Sequence, residues 1–360
     1  MATLADYRTL GRSGLRVSPL SLGTMTFGTD WGWGADAAES ARMMDLYAEG
    51  GGNFLDTANI YTKGHSEVII GDHLKAKGGR DRWVLATKFC GNLHTGDPNA
   101  GGASRKSILQ NLEESLRRLR TDFVDLYWMH FNDPRTPMDE TMRAMDDAVR
   151  MGKVRYLGFS DTPAWRVVEA QMLARLKDWT PLIALQIEYS LLERTVEHDL
   201  MPMAKAFGLG VTPWSPLKAG LLTGKYGRKK HPEGEGRHKP GSRYLTERTF
   251  GIIDALEAVA AEAGAGMAET ALAWVLGKPG VVSPILGART LPQLEANLKA
   301  LPLALSAAQM ARLDEASAPS AIFPHGFLAN TKATMQGGAS VDGVAADPWA
   351  LAPGNEAERW

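Results

Sequence analysis

Eight short apolar runs, separated by amphipathic segments, constrain the fold more than any other feature of the sequence. They are SLGTMT (21–26), NFLDTA (53–58), WVLATKF (83–89), VDLYWMH (124–130), VRYLGFS (154–160), IALQIEYS (183–190), GVTPWSP (210–216) and VVSPILG (281–287). Near-continuous hydrophobic runs of this length read as strands covered on both faces, as in a parallel sheet. The segments between them look helical. In SRKSILQNLEESLRRLR (104–120), Ile108, Leu112, Leu116 and Leu119 fall at helical spacing, with arginines and glutamates elsewhere. Regular alternation of this kind predicts an α/β fold, and eight units of roughly 30 to 40 residues favour closure into a (β/α)8 TIM barrel. An open doubly wound sheet is the alternative.

The chain has 360 residues, a 44% apolar fraction and a formal charge of -1. That length suits one barrel domain with insertions, and the charge gives no pull toward nucleic acid or anionic membrane. The N-terminal segment lacks the apolar run of a secretory signal, and no segment approaches 18 uncharged apolar residues. The expectation is a soluble cytoplasmic protein. Cys90 is the one cysteine, which excludes an internal disulfide and a cysteine-built metal site; no metal is expected. Beside Lys88, Cys90 reads as a packing residue.

Two segments interrupt the alternation. Residues 217–246 form a connection far longer than usual, with Lys225, Arg228, Lys229, Lys230, Arg237, Lys239 and Arg243 set against Glu233 and Glu235. After a helix beginning at Ser306, the tail is rich in Ala, Gly and Pro. It reads as a lid, a docking strap or a partly disordered end.

In a barrel the functional groups sit at the C-terminal ends of the strands. Asp56 closes strand 2, Tyr61 follows in its loop, Lys88 lies at the end of strand 3 and His130 closes strand 4. Each alone has a structural explanation; together they suit one task. A phenol is a poor proton donor near neutrality unless a cation stabilises its conjugate base. Lys88 supplies that cation, Asp56 keeps it charged by pairing, and His130 orients a carbonyl oxygen.

These residues also carry a resemblance. FLDTANIYTKGHSEVIIG, LATKF, LYWMH, VRYLGFSD and WSPLKAGLLTGKY, with the opening YRTLGRSGLRVSPLSLGTMTFG, resemble the signature segments of the aldo-keto reductase superfamily over residues 7–328. TDWGWGAD and GFSDTPAW look most similar to its aryl-alcohol-dehydrogenase-like branch. The resemblance implies a barrel domain over 7–328, a tail over 329–360, and an NADPH-dependent oxidoreductase that reduces small-molecule carbonyl substrates. It makes Tyr61 the proton donor, Lys88 and Asp56 its tuning pair, and His130 the orienting group. The family holds NADPH/NADP+ without a Rossmann domain, and no G-x-G-x-x-G opens a helix after a strand here.

By the same resemblance Ser160, Asp161 and Gln186 hold the nicotinamide carboxamide, with Met25 near the ring and Trp214 stacked on it. Ser215, Leu217, Gly220, Leu221, Lys225 and Arg243 would cover the pyrophosphate. Gly287, Arg289, Gln293 and Asn297, with backbone donors at the start of a helix, would bind the phosphorylated adenosine. Three positions depart from the family pattern: Asp161 replaces Asn, Trp214 replaces Tyr, and Ala296 replaces Glu. Trp31, Trp33, Phe89, Asn92 and Phe131 are expected to wall an aromatic substrate pocket, or else to pack the barrel rim. Two other functions stay open: a cofactor-binding subunit resembling potassium-channel beta subunits, and a Schiff-base aldolase or lyase using Lys88. Substrate and oligomeric state are not legible.

Overall fold

The fold is taken from a computed structural model that describes residues 2–230, 238–239 and 241–360. Arg237, Glu233 and Glu235 of the basic loop lie outside these residues. Two compact units divide the chain, Met1–Ala318 and Pro319–Trp360.

The first unit is a (β/α)8 barrel. Its strands are β1 (Ser21–Gly23), β2 (Phe54–Asp56), β3 (Val84–Phe89), β4 (Val124–Met129), β5 (Val154–Ser160), β6 (Leu182–Glu188), β7 (Gly210–Trp214) and β8 (Ile285–Gly287). All neighbours in the order β8-β1-β2-β3-β4-β5-β6-β7 pair in parallel. A parallel bridge between Val211 and Val281 brings β7 against the segment before β8 and closes the ring. Around it lie α1 (Ala37–Glu49), α2 (His65–Lys77), α3 (Arg105–Leu119), α4 (Met138–Arg150), α5 (Ala164–Lys177) and α6 (Leu200–Phe207). Two helices, α7 (Glu247–Glu262) and α8 (Met267–Leu276), separate the long loop from β8, and α9 (Leu291–Leu298) and α10 (Ala307–Ala316) follow.

Local chemistry explains these boundaries. Ser104 caps α3 by accepting from Ser107 N–H (3.3 Å), and Ile108, Leu112, Leu116 and Leu119 are its buried stripe. Ser306 and Gln309 cap α10 reciprocally. Strand residues of one parity, such as Leu85, Tyr127, Phe159 and Leu185, meet the helices in the main core. The other parity fills the barrel, where Phe54, Ala86, Leu126, Trp128 and Ala184 form a second cluster with Leu10 and Val17. Those two come from an antiparallel hairpin, Arg8–Thr9 with Arg16–Val17, that plugs the floor. Gly11, with φ +61°, is needed there: a Cβ would lie 2.1 Å from Ile183 O.

Taken by itself, the second unit has the short helices His325–Leu328 and Lys332–Gln336 and an exposed hairpin, Ser340–Val341 with Val344–Ala345.

Candidate active site

Beyond Asp56 the chain runs on beside β3. Thr57 N–H donates to Ala86 O (2.9 Å) and Asn59 N–H to Lys88 O (3.1 Å). It then turns a corner in which Thr62, Lys63 and Gly64 have φ of 46°, 60° and 90°. Consecutive left-handed residues are costly and persist only where neighbours hold them. Here Thr62 Oγ1 donates to Phe27 O (2.6 Å) and accepts from Ser66 N–H (3.0 Å), while His65 Nδ1 meets Asp30 Oδ2 (2.9 Å). The corner sets Tyr61 beside the end of β3.

There the four expected residues converge. Lys88 is fully buried and Asp56 nearly so. Lys88 Nζ donates to Asp56 Oδ1, to Thr57 O (2.8 Å) and to Tyr61 Oη (3.3 Å). The remaining oxygen of Asp56, Oδ2, accepts from Gln186 Nε2 (2.9 Å) across the barrel. The His130 ring stands edge-on to Tyr61, with centroids 5.7 Å apart. Among the described residues its buried Nδ1 has no partner.

The charges follow from this packing. Burial works against the Lys88 cation, but Asp56 and Tyr61 outweigh it and raise its pKa, so the ammonium stays charged. Tyr61 is also raised, because burial exceeds the lowering by Lys88. Lys88 offsets the burial without overcoming it, and Tyr61 rests as a hydroxyl. His130 is pushed down to about 3, first by burial and then by Lys88, so it is neutral near pH 7. Cys90, buried and pushed up to about 12 by burial, is an inert thiol.

Ser160, Asp161, Gln186 and Trp214 stand at the ends of the next strands. Asp161 Oδ1 accepts from Trp214 Nε1 (2.9 Å) and Oδ2 from Ser160 Oγ (3.3 Å). After β7 the backbone turns through left-handed Ser215, Lys218, Ala219 and Gly220. Leu217 is half-buried, while Lys225 and Arg243 are exposed. Met25 is half-buried after β1, Gly287 ends β8, and Asn297 is buried in α9.

Several expectations need correction. Phe89 follows Lys88, and strand alternation turns it outward: it is fully buried against Tyr127 (4.9 Å between centroids) and walls no pocket. Asn92 is folded into its own loop, donating to Asp97 O (2.7 Å) and accepting from His94 N–H (2.7 Å). Leu221 is fully buried with Tyr226 and Ile253, so its side chain faces away from any groove. At the start of α9 two backbone donors are already engaged: Leu291 N–H by Glu39 (2.6 Å) and Arg289 N–H by Gln293 Oε1 (2.9 Å). Trp31 and Trp33 lie 5.6 Å apart between centroids, and Phe131 is exposed beside His130 at 5.4 Å.

Sequence reasoning missed the Thr57 carbonyl, Thr62, Glu39 and the pair Lys218–Glu188 (2.7 Å). Only Thr57 and Thr62 carried a signal, standing in the same polar stretch as Asp56 and Tyr61.

A family model described as "Aldo/keto reductase family" matches residues 19–318. The chain belongs to the aldo/keto reductase family. Among the relatives of this aldo/keto reductase is the "Uncharacterized oxidoreductase YrpG" of Bacillus subtilis (strain 168), 42% identical over 311 residues, covering 83% of this chain and 92% of its own. A "Probable voltage-gated potassium channel subunit beta" of Oryza sativa subsp. japonica is 38% identical over 305 residues (82% and 91%). The "Aryl-alcohol dehydrogenase (NADP(+))" of Phanerodontia chrysosporium is 37% identical over 321 residues (84% and 83%). Family and relatives support an oxidoreductase of the aryl-alcohol-dehydrogenase-like kind. Among the described residues no helix is long and apolar enough to cross a membrane.

Proposed function

We propose that this chain reduces aldehydes and ketones, reversibly, with NADPH as hydride donor and Tyr61 as proton donor. The observation that carries the reading is Tyr61 Oη lying 3.3 Å from a buried, charged Lys88 Nζ, beside a neutral histidine. A carbonyl oxygen set there accepts from Tyr61 and from a ring nitrogen of His130. As the phenol gives up its proton, the Lys88 ammonium stabilises the phenolate, and Asp56 keeps that ammonium charged.

The donor set fits a nicotinamide nucleotide. Ser160, Asp161 and Gln186 Oε1 complement an amide, and buried Thr212 Oγ1, in register with Gln186, has no partner among the described residues. Trp214 offers a flat indole face. Lys225 and Arg243 bring positive charge to the loop after β7, and half-buried Arg289 suits a phosphate on the adenosine, which favours NADPH over NADH. When bound, reduced nicotinamide supplies the hydride. Trp31, Trp33 and Phe131 favour aromatic carbonyl compounds.

The test is consumption of NADPH over aromatic aldehydes, dicarbonyls, sugars and ketones, with the alcohol identified chemically. Tyr61→Phe should lower kcat about 10²-fold while leaving NADPH affinity nearly intact. Unchanged turnover removes Tyr61 from the mechanism. The rice relative favours a second reading, a nucleotide-binding subunit of a membrane partner. Retained nucleotide binding with no reductase activity, and co-purification with a membrane protein, would support it. A Schiff-base role suits Lys88 poorly, because a buried ammonium held by Asp56 is no nucleophile.

A further inference from the structure

Among the described residues Asp161 is a carboxylate with no cation at ion-pair distance. Its oxygens accept only from neutral donors, Trp214 Nε1 (2.9 Å) and Ser160 Oγ (3.3 Å), and it forms no salt bridge among the described residues. Among its charged neighbours, Asp56 pairs with Lys88, and Glu188 shares Lys218 with Glu193 (2.7 and 4.0 Å). His130 is neutral and Tyr61 is a hydroxyl. None of these cations is spent on Asp161, whose negative charge is left uncompensated by an ion pair.

The position is also built. Asp161 sits in the left-handed region, φ 43°. Its N–H donates to Gln186 O (3.1 Å), and its carbonyl accepts from Asn132 N–H (3.3 Å). A strained corner tied at both ends fixes where the carboxylate points, and Trp214, whose face awaits the nicotinamide in the reading above, is tethered to it.

We propose that Asp161 sets the relative affinity of this site for oxidised and reduced nicotinamide, favouring the oxidised form when its carboxylate is ionised. The inference rests on the nicotinamide reading of the proposed function. Its physical basis is a charge difference: the oxidised ring carries one positive charge that the reduced ring lacks. A fixed anion beside the ring therefore stabilises one partner of the redox pair and draws the bound reaction toward carbonyl reduction. Although the carboxylate is open to water at the mouth, the surrounding protein pushes it up to about 6 by desolvation; Trp214, Ser160 and Lys88 pull it down and Glu188 pushes it up. The anion, and with it the preference, is present above that pH and fades below it.

The experiment is fluorescence titration of the full chain with NADP+ and with NADPH at about pH 5.5 and about pH 8. The ratio of the two Kd values is the readout; the adenosine phosphate, which titrates in the same range, is common to both and cancels. In the native chain the preference for NADP+ should strengthen several-fold from the lower to the higher pH. Asp161→Asn should shift the ratio toward NADPH by about tenfold at the higher pH and flatten its pH dependence. A native ratio that does not change with pH overturns the proposal without any variant, and so does an Asp161→Asn ratio within about twofold of native. Failure of both nucleotides to bind overturns the nicotinamide reading itself, so the two failures are distinguishable.

Discussion

Replacing Lys88 by Met tests the buried pair most directly. Lys88 is 0% exposed and Asp56 2%, so the substitution leaves a carboxylate sealed in the barrel with Gln186 Nε2, at 2.9 Å, as its one remaining side-chain donor. Breaking a buried pair from one side costs about 3 to 5 kcal/mol, because the surviving charge has lost its compensation. The double variant Lys88→Met, Asp56→Asn removes that orphaned charge and should recover at least half of the loss. The measure is chemical denaturation of all four members of the cycle, extrapolated linearly to water. Carbonyl reduction should stay low in both, since stability and proton donation depend on the pair in different ways. A Lys88→Met deficit below about 1 kcal/mol, or a double variant no more stable than the single, refutes the argument.

Three further outcomes follow from the geometry. Burial, then Lys88, pushes His130 from the ordinary histidine value of 6.5 down to about 3, so the unfolded chain takes up the proton first and stability falls as pH drops from about 6.5 toward 3. Relative to His130→Gln, the native chain should lose up to about 3 kcal/mol between pH 7 and about pH 4.5, less to the extent that the half-buried ring meets water; parallel stability curves would contradict this. Gly158→Ala would set a Cβ 2.4 Å from the fully buried Trp128 ring and should destabilise the fold by about 1 to 3 kcal/mol, read from the denaturation midpoint; a neutral effect would show that the indole can move. Arg289→Ala should weaken NADPH binding about tenfold or more while changing NADH binding little, and equal losses for both nucleotides would remove Arg289 from phosphate recognition.

The barrel was legible because its strands are buried on both faces, and each of the eight runs holds one. Boundaries were not. The run at 21–26 is a strand only over Ser21–Gly23, and the run at 281–287 only over Ile285–Gly287. Some flanking residues still bond to the sheet, Thr24 N–H to Asp56 O and Val282 N–H to Val211 O, so no change of polarity marks where the strands end. The floor hairpin went unread because two-residue strands have no period to detect. At the site, the convergence of Asp56, Tyr61, Lys88 and His130 followed from strand ends facing one mouth. Alternation should also have sent Phe89 outward, since it neighbours Lys88. Gln186 on Asp56, Trp214 on Asp161 and Glu39 on Leu291 join residues 130, 53 and 252 positions apart, and no local pattern encodes them.

Trp128 lies in register with Lys88 on one side and Gly158 on the other, and its fully buried indole belongs to the cluster that fills the barrel. The barrel is thus corked by its own side chains. A guest molecule cannot gain affinity by sinking deeper; it must spread sideways over the loops. Changes in which compounds are accepted should therefore arise from those loops, while the cork holds the depth of the reaction constant.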